Sequence, residues 1–172
     1  SHLKTFARKS PAGLRQRLSL AEVLDQALQL LAPRIRSEGV AVVCQVPPQA
    51  WVSGDAIRLE QVLINLLTNA LDAMWNAESK ALRIVCQPEG DGWTLSVADS
   101  GGGIAEEHLD QVFEPFFTTK PVGQGLGLGL AICFEVVQQF GGRLDIRSAP
   151  GDGTEVAVIL PLLARDDTQE AA

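Results

Sequence analysis

The sequence predicts an α+β domain, a two-layer sandwich of a mixed sheet of about five strands with three helices on one face. Three observations predict it. Apolar residues recur at helical spacing in three long segments and at strand spacing in several short ones. Helices and hairpins follow one another in an order that suits a mixed sheet covered by helices. A chain of 172 residues buries roughly two-thirds of its unfolded surface. It needs no disulfide or metal to fold and has no room for a second full domain.

The elements read in order as follows. LKTFARKS resembles the end of a helix that begins upstream, broken at Pro11-Ala12-Gly13, so residues 1–13 read as a stub and linker. Ser19 caps a helix over Leu20–Arg36, where Leu20, Val23, Leu24, Ala27, Leu28 and Leu31 form the apolar stripe. Pro33 kinks it or marks its last turn, and Gly39 ends it. Val40–Val46 is a strand closed by Pro47-Pro48. Asp55 caps a second helix from Ala56 to about Trp75. Leu82–Gln87 and Trp93–Val97 form a hairpin about Glu89-Gly90-Asp91-Gly92. A short helix near Glu106–Val112 and a third long helix, Leu130–Phe140, follow. The last two strands are Arg143–Ser148 and Glu155–Leu160, about the turn Ala149–Gly153. The domain spans 14–163, and 164–172 reads as a disordered tail.

Composition excludes several classes. The chain is 46% hydrophobic and 20% charged, so it is neither a disordered tail nor a coiled coil. No apolar run reaches the roughly 18 residues of a membrane span, and the first residues lack a signal-peptide core. Its 14 basic residues against 21 acidic ones, net charge -7, argue against nucleic acid, which needs clustered positive charge. They leave room for a nucleotide held by backbone N–H groups and a metal. Cys44, Cys86 and Cys133 lie in apolar contexts without metal-site spacing and read as buried free thiols of a reducing compartment.

Four segments carry chemistry. On the second helix Asn65 and Asn69 stand four apart on one face, beside an apolar stripe of Leu59, Val62, Leu63, Leu66, Leu67, Ala70 and Leu71. Their amide oxygens suit a hard cation such as Mg²⁺; equally, they can face solvent or bond to nearby backbone. Asp99-Ser100-Gly101-Gly102-Gly103 leaves a strand end. Its carboxylate can accept from an exocyclic amino group, as adenine offers, or be part of a plain turn. Gly123–Gly129, with glycines at 123, 125, 127 and 129, runs into a helix and can offer N–H groups to phosphate. Between them, HLDQVFEPFFTTKPVGQ is long for a connection and reads as a lid. Phe113, Phe116 and Phe117 either clamp a ligand or pack in the core. Lys120 either reaches a phosphate or is solvated.

In this order and spacing the segments resemble the nucleotide-binding domain of bacterial sensor histidine kinases, in the superfamily of DNA gyrase, MutL and the heat-shock chaperone ATPases. QVLINLLTNALDA resembles the N box, ADSGGGI the first glycine box, FEPFFTTK the F box, GLGLGLAI the second glycine box and GDGTEV the third. The resemblance runs from about Leu20 to Leu160 and implies a Bergerat-type fold binding ATP with Mg²⁺. It implies that Asn69 holds Mg²⁺ with Asn65 assisting, that Asp99 binds the adenine amino group, and that Thr154 sits near the base. Gly101, Gly103 and Ile104 would shape the pocket. Phe113, Thr118, Thr119 and Lys120 would come from the lid, and Gly125, Leu126, Gly127, Leu128 and Gly129 would meet the phosphates. Many members carry a basic residue one turn after the Mg²⁺ asparagine; here that residue is Asp72.

ATP-hydrolysing relatives place a Glu where Asn65 stands. An amide cannot accept a proton at neutral pH, so the resemblance implies a protein-histidine kinase domain, nearly inactive alone. The acceptor would be a histidine on a dimerisation hairpin, since His2 and His108 do not fit the acceptor pattern. Its implied partners are that hairpin and a response-regulator receiver domain, in a homodimeric inner-membrane sensor with this domain in the cytoplasm. LKTFARKS and EPFFTTKPVGQGLGLGLAI look most like dicarboxylate-transport sensor kinases. The alternatives are an interaction module that has lost kinase activity, and an ATPase of the same superfamily.

Overall fold

The computed structural model describes residues 16–104, 106–109, 111 and 129–162. The stub at 1–13, most of the lid, the second glycine box up to Leu128 and the tail lie outside them.

The described chain runs β1 Gln16–Ser19, α1 Leu20–Ser37, β2 Ala41–Gln45, β3 Trp51–Gly54, α2 Ala56–Ala73, β4 Ala81–Glu89, β5 Gly92–Asp99, α3 Glu106–Leu109, α4 Gly129–Gln139, β6 Arg143–Ser148 and β7 Thr154–Leu160. Five strands form one mixed sheet in the order β2-β4-β5-β7-β6. The β2–β4 pair is parallel, and the other pairs are antiparallel. α2 packs between α1 and α4. This is the two-layer sandwich the sequence predicts.

Local chemistry starts the two long helices where expected. Ser19 Oγ accepts from the Glu22 amide at 3.3 Å, and Asp55 Oδ1 accepts from Ile57 at 2.9 Å. Both caps satisfy amides that the first helical turn leaves without partners. The apolar stripe of α2 becomes the centre of the core: Leu59, Val62, Leu63, Leu66, Leu67, Ala70 and Leu71 are all buried. Leu82, Ile84 and Cys86 on β4, Leu95 and Val97 on β5, and Val156, Val158 and Leu160 on β7 meet the helices from below. Each alternates with a residue on the other face.

α1 runs through Pro33 to Ser37, one residue beyond the expected end, with the proline inside the helix near its last turn. Its missing N–H costs one bond near the C-terminal end, where α1 still packs on α2. The structure corrects two readings. First, β1 and β3, which carry no signal in the sequence, pair antiparallel in a separate small sheet. Each has four residues, too few for alternation to declare itself. Buried Leu18 and Val52 face each other in register, and Arg17 lies over the Trp51 ring at 5.4 Å. Finally, Cys44 is exposed, while Cys86 and Cys133 are buried. Cys44 stands on edge strand β2, which has a sheet neighbour on one side only.

Burial pushes the Cys86 thiol up to about 11 and the Cys133 thiol up to about 12. Burial and then Asp25 raise the Cys44 thiol as well. Because the thiolate is the reactive form, a thiol reagent near neutral pH is expected to label Cys44 in the folded chain, faster as pH rises. Cys86 and Cys133 should react only after unfolding. Mass spectrometry of the labelled chain reads the result, and rapid native labelling of all three would contradict this core.

Candidate functional site

The site begins at the end of β5. Asp99 shares the helix-facing side of that strand with Leu95 and Val97, but lies beyond the apolar core. Strand register sets its neighbours. Leu82, Asp99, Thr154 and Ser148 are successive Cα partners across β4, β5, β7 and β6. The core row of apolar residues therefore gives way, at the sheet end, to a row carrying a carboxylate and two hydroxyls.

Two backbone amides hold the carboxylate. Asp99 Oδ1 accepts from the Gly101 N–H at 2.8 Å, and Thr154 N–H donates to the same side chain. Burial nonetheless dominates and raises the Asp99 carboxyl above its ordinary 3.8, with the two amide bonds opposing it. Ser100 anchors the turn: its Oγ accepts from the Ala81 amide at 2.9 Å and lies 3.2 Å from the Ser79 carbonyl.

Close backbone contact explains the glycines here. A Cβ on Gly101 would run into the Ala73 carbonyl at the end of α2. One on Gly153, whose φ is +76°, would run into the Asp99 carbonyl. Gly103 is similarly pressed on the Ala149 carbonyl. The two loops are laced together: Gly151 N–H donates to the Gly102 carbonyl at 2.9 Å, and Ile104 N–H to Ser148 Oγ at 2.6 Å. An open cleft of about 390 Å³ adjoins this strand end, lined by Asp99, Ser148, Gly153 and Thr154 and also by Ala98, Arg147 and Glu155 of the neighbouring register row.

The asparagines stand on the adjoining helix. Gly129 opens α4 so close to Asn69 that an added Cβ would lie 3.2 Å from Nδ2. The second glycine segment thus meets the N-box helix at Asn69. One turn earlier, Asn65 bonds the Cys133 thiol of α4, whose Sγ in turn lies 3.6 Å from the Val62 carbonyl. The thiol sits at the seam of the two helices.

Of the sequence-derived site residues, the structure gathers Asp99, Gly101, Gly103, Ile104 and Thr154 into one cluster, and brings Gly129 to Asn69. Phe113, Thr118, Thr119, Lys120, Gly125, Leu126, Gly127 and Leu128 lie outside the described residues. Sequence reasoning misses two side chains. Ser148 becomes visible only once the β6–β7 register pairs it with Thr154. Arg34 crosses from α1, its Nη2 2.7 Å from Asp72 Oδ1 and its Nε 2.8 Å from Glu38 Oε2. The Asp72 carboxylate is thus paired with a cation from another helix.

The donors fit a nucleotide with a divalent cation. The glycine cradle gives a base backbone access, and the carboxylate supplies an acceptor. Among the described residues no three His, Cys, Asp or Glu side chains converge, so a hard cation here would take an amide oxygen plus ligand phosphates.

Residues 54–164 match the family described as histidine kinase-, DNA gyrase B- and HSP90-like ATPase. Over 92% of its length the chain is 42% identical to the C4-dicarboxylate transport sensor protein DctB of Rhizobium meliloti, covering 25% of that protein. It thus spans about a quarter of the length of the curated relatives it matches. The solved catalytic domain of histidine kinase ThkA superposes with TM-score 0.76 at 30% identity, covering 86% of this chain and 95% of that one. A structure of ThkA in complex with response regulator protein TrrA has TM-score 0.74 at 26% identity, covering 88% and 42%.

Because the folded pKa of Asp99 exceeds its unfolded value, its ionisation opposes folding. That destabilisation is absent below the unfolded pKa and complete above the folded one. Carbon-13 NMR of the Asp99 carboxyl is expected to give a midpoint above 3.8. A midpoint at or below that value would mean the two amide bonds outweigh burial.

Proposed function

The chain belongs to the histidine kinase-, DNA gyrase B- and HSP90-like ATPase family as an ATP-binding catalytic domain of the histidine kinase branch, and from that premise we propose its action within a longer protein. It binds Mg-ATP and donates the γ-phosphoryl group to a histidine on a dimerisation hairpin of the parent. The phosphoryl group then passes to an aspartate of a response-regulator receiver domain. The observation that carries the reading is the Asp99 carboxylate, an acceptor fixed at a strand end between closely packed glycine loops, as recognition of the adenine amino group requires.

Each residue takes a share. Asp99 and Thr154 face the base, with Gly101, Gly103 and Ile104 forming its wall. Gly125, Gly127 and Gly129, with Leu126 and Leu128, offer backbone N–H groups to the phosphates at the start of α4. Phe113, Thr118, Thr119 and Lys120 close over the nucleotide, Lys120 as a point charge. Asn69 holds Mg²⁺ through its amide oxygen, with Asn65 assisting; Asn65 also bonds the Cys133 thiol of α4. When bound, the ion supplies charge neutralisation at the phosphates. Catalysis by this domain is then positioning and electrostatics.

Position 65 decides what the domain does with a bound phosphoanhydride. An amide takes no proton at neutral pH, so no water is activated there and the histidine keeps the phosphoryl group. An interaction module that had lost ATP would have no use for a carboxylate kept partly buried against its desolvation cost. Among the described residues no helix is long and apolar enough to cross a membrane. We place the domain on the cytoplasmic side of a homodimeric, membrane-anchored sensor, outside the bilayer itself. The solved complex of a related kinase with a response regulator supports the receiver as partner.

Calorimetric titration with a non-hydrolysable ATP analogue tests the reading. One-to-one binding is expected that strengthens with Mg²⁺, and Asn69→Ala should remove most of that gain while leaving weak metal-free binding. Steady ATP hydrolysis by the chain alone, abolished by Asn69→Ala, would instead make it an ATPase.

A further inference from the structure

Ser148 has no part in the assignment above. It faces Thr154 across the β6–β7 pair, and its hydroxyl has three neighbours. Ile104 N lies at 2.6 Å, the Gly153 carbonyl oxygen at 2.9 Å and Thr154 Oγ1 at 2.8 Å. Two of the three have fixed polarity: the amide can only donate, and the carbonyl can only accept. A hydroxyl has one proton and two lone pairs. If Ser148 gives its proton to Gly153, it accepts from Ile104 and Thr154, and every group in the cluster is satisfied. If it gives the proton to Thr154, the Gly153 carbonyl loses this donor. In a partly buried cluster the first arrangement is favoured, because an unmade bond costs more than a typical bond contributes. It commits the Thr154 proton to Ser148 and leaves the Thr154 lone pairs for the cleft.

We propose that Ser148 is a positioning residue that fixes the Thr154 hydroxyl as a hydrogen-bond acceptor beside the Asp99 carboxylate. The cleft then offers two acceptors side by side and selects a purine bearing an exocyclic amino group over one bearing a carbonyl there. The inference rests on the nucleotide reading and deepens it. Asp99 and Thr154 are register partners, so their β-carbons stand roughly 4.5–5.5 Å apart. That spacing lets the two protons of one amino group meet both acceptors, directly or through a water. A carbonyl oxygen in the same place meets lone pairs on both sides and leaves polar groups unpaired, the arrangement that discriminates most strongly. Without Ser148, the Thr154 hydroxyl could turn and donate to that carbonyl.

The test measures ATP and GTP dissociation constants by calorimetry for the unchanged chain and its variants. The unchanged chain is expected to prefer ATP. Ser148→Ala is expected to reduce that preference about fivefold, the value of roughly one hydrogen bond. Ser148→Thr, which keeps a hydroxyl, should retain the preference. In a Thr154→Val background, Ser148→Ala should leave the remaining preference unchanged, because its route of action is gone. Equal weakening of both nucleotides by Ser148→Ala would overturn the proposal, as would a loss of preference that persists without the Thr154 hydroxyl. Should Ser148→Ala fail to fold, Ser148→Gly, which also removes the hydroxyl, carries the same expectations. Failure of the unchanged chain to bind either nucleotide would overturn the nucleotide reading itself, and this proposal with it.

Discussion

One side chain organises the functional end of this molecule: the Asp99 carboxylate, pinned at the end of β5 by the Gly101 and Thr154 amides. The pinning demands that two loops approach the strand end more closely than any Cβ allows, which is why Gly101 and Gly153 stand where they do. Those loops in turn bring the Ile104 amide and the Gly153 carbonyl to the Ser148 hydroxyl. The strand-end side of the site is therefore one connected network of backbone and hydroxyl groups, built on the sheet and its end loops.

The helix side of the site is built differently. The apolar stripe of α2 fixes the rotation of that helix against the sheet, and the rotation places Asn65 and Asn69 at the polar border facing α4. The same core packing that stabilises the fold thus aims the two amides. Cys133 takes part in that seam through Asn65 and the Val62 carbonyl. On the far side of α2, Arg34 reaches Asp72 from α1 and shares its charge with Glu38. The Asp72 position is therefore not simply acidic. It carries an ion pair that ties the N-box helix to α1.

The legible parts of the sequence are those with a long period or a strong local signal. The α2 stripe runs the length of an 18-residue helix, and the Ser19 and Asp55 caps mark their helices within a residue. Asp99 and its glycines are legible because glycine spacing reports close backbone approach directly. What escapes depends on pairing between distant segments. Strands β1 and β3 are four residues each and exist because they pair with each other. Ser148 looks like any strand-end serine until the hairpin register sets it beside Thr154. Arg34 is one of two arginines near the end of α1 until Asp72, 38 residues away, selects it. Cys44 reads as buried in the sequence because an apolar neighbourhood does not say whether a strand lies at the edge of a sheet.

The most direct test of the central claim is proton–nitrogen NMR of the chain titrated with a non-hydrolysable ATP analogue and Mg²⁺. If an adenine amino group meets the Asp99 carboxylate, the amides that donate to it must respond. The largest shifts are predicted at Gly101 and Thr154, with Ile104 following and with Leu18 and Val52 of the small sheet unmoved. Saturable binding that shifts Val43 and Arg83 on the opposite face of the sheet, while Gly101 and Thr154 stay still, would contradict the account.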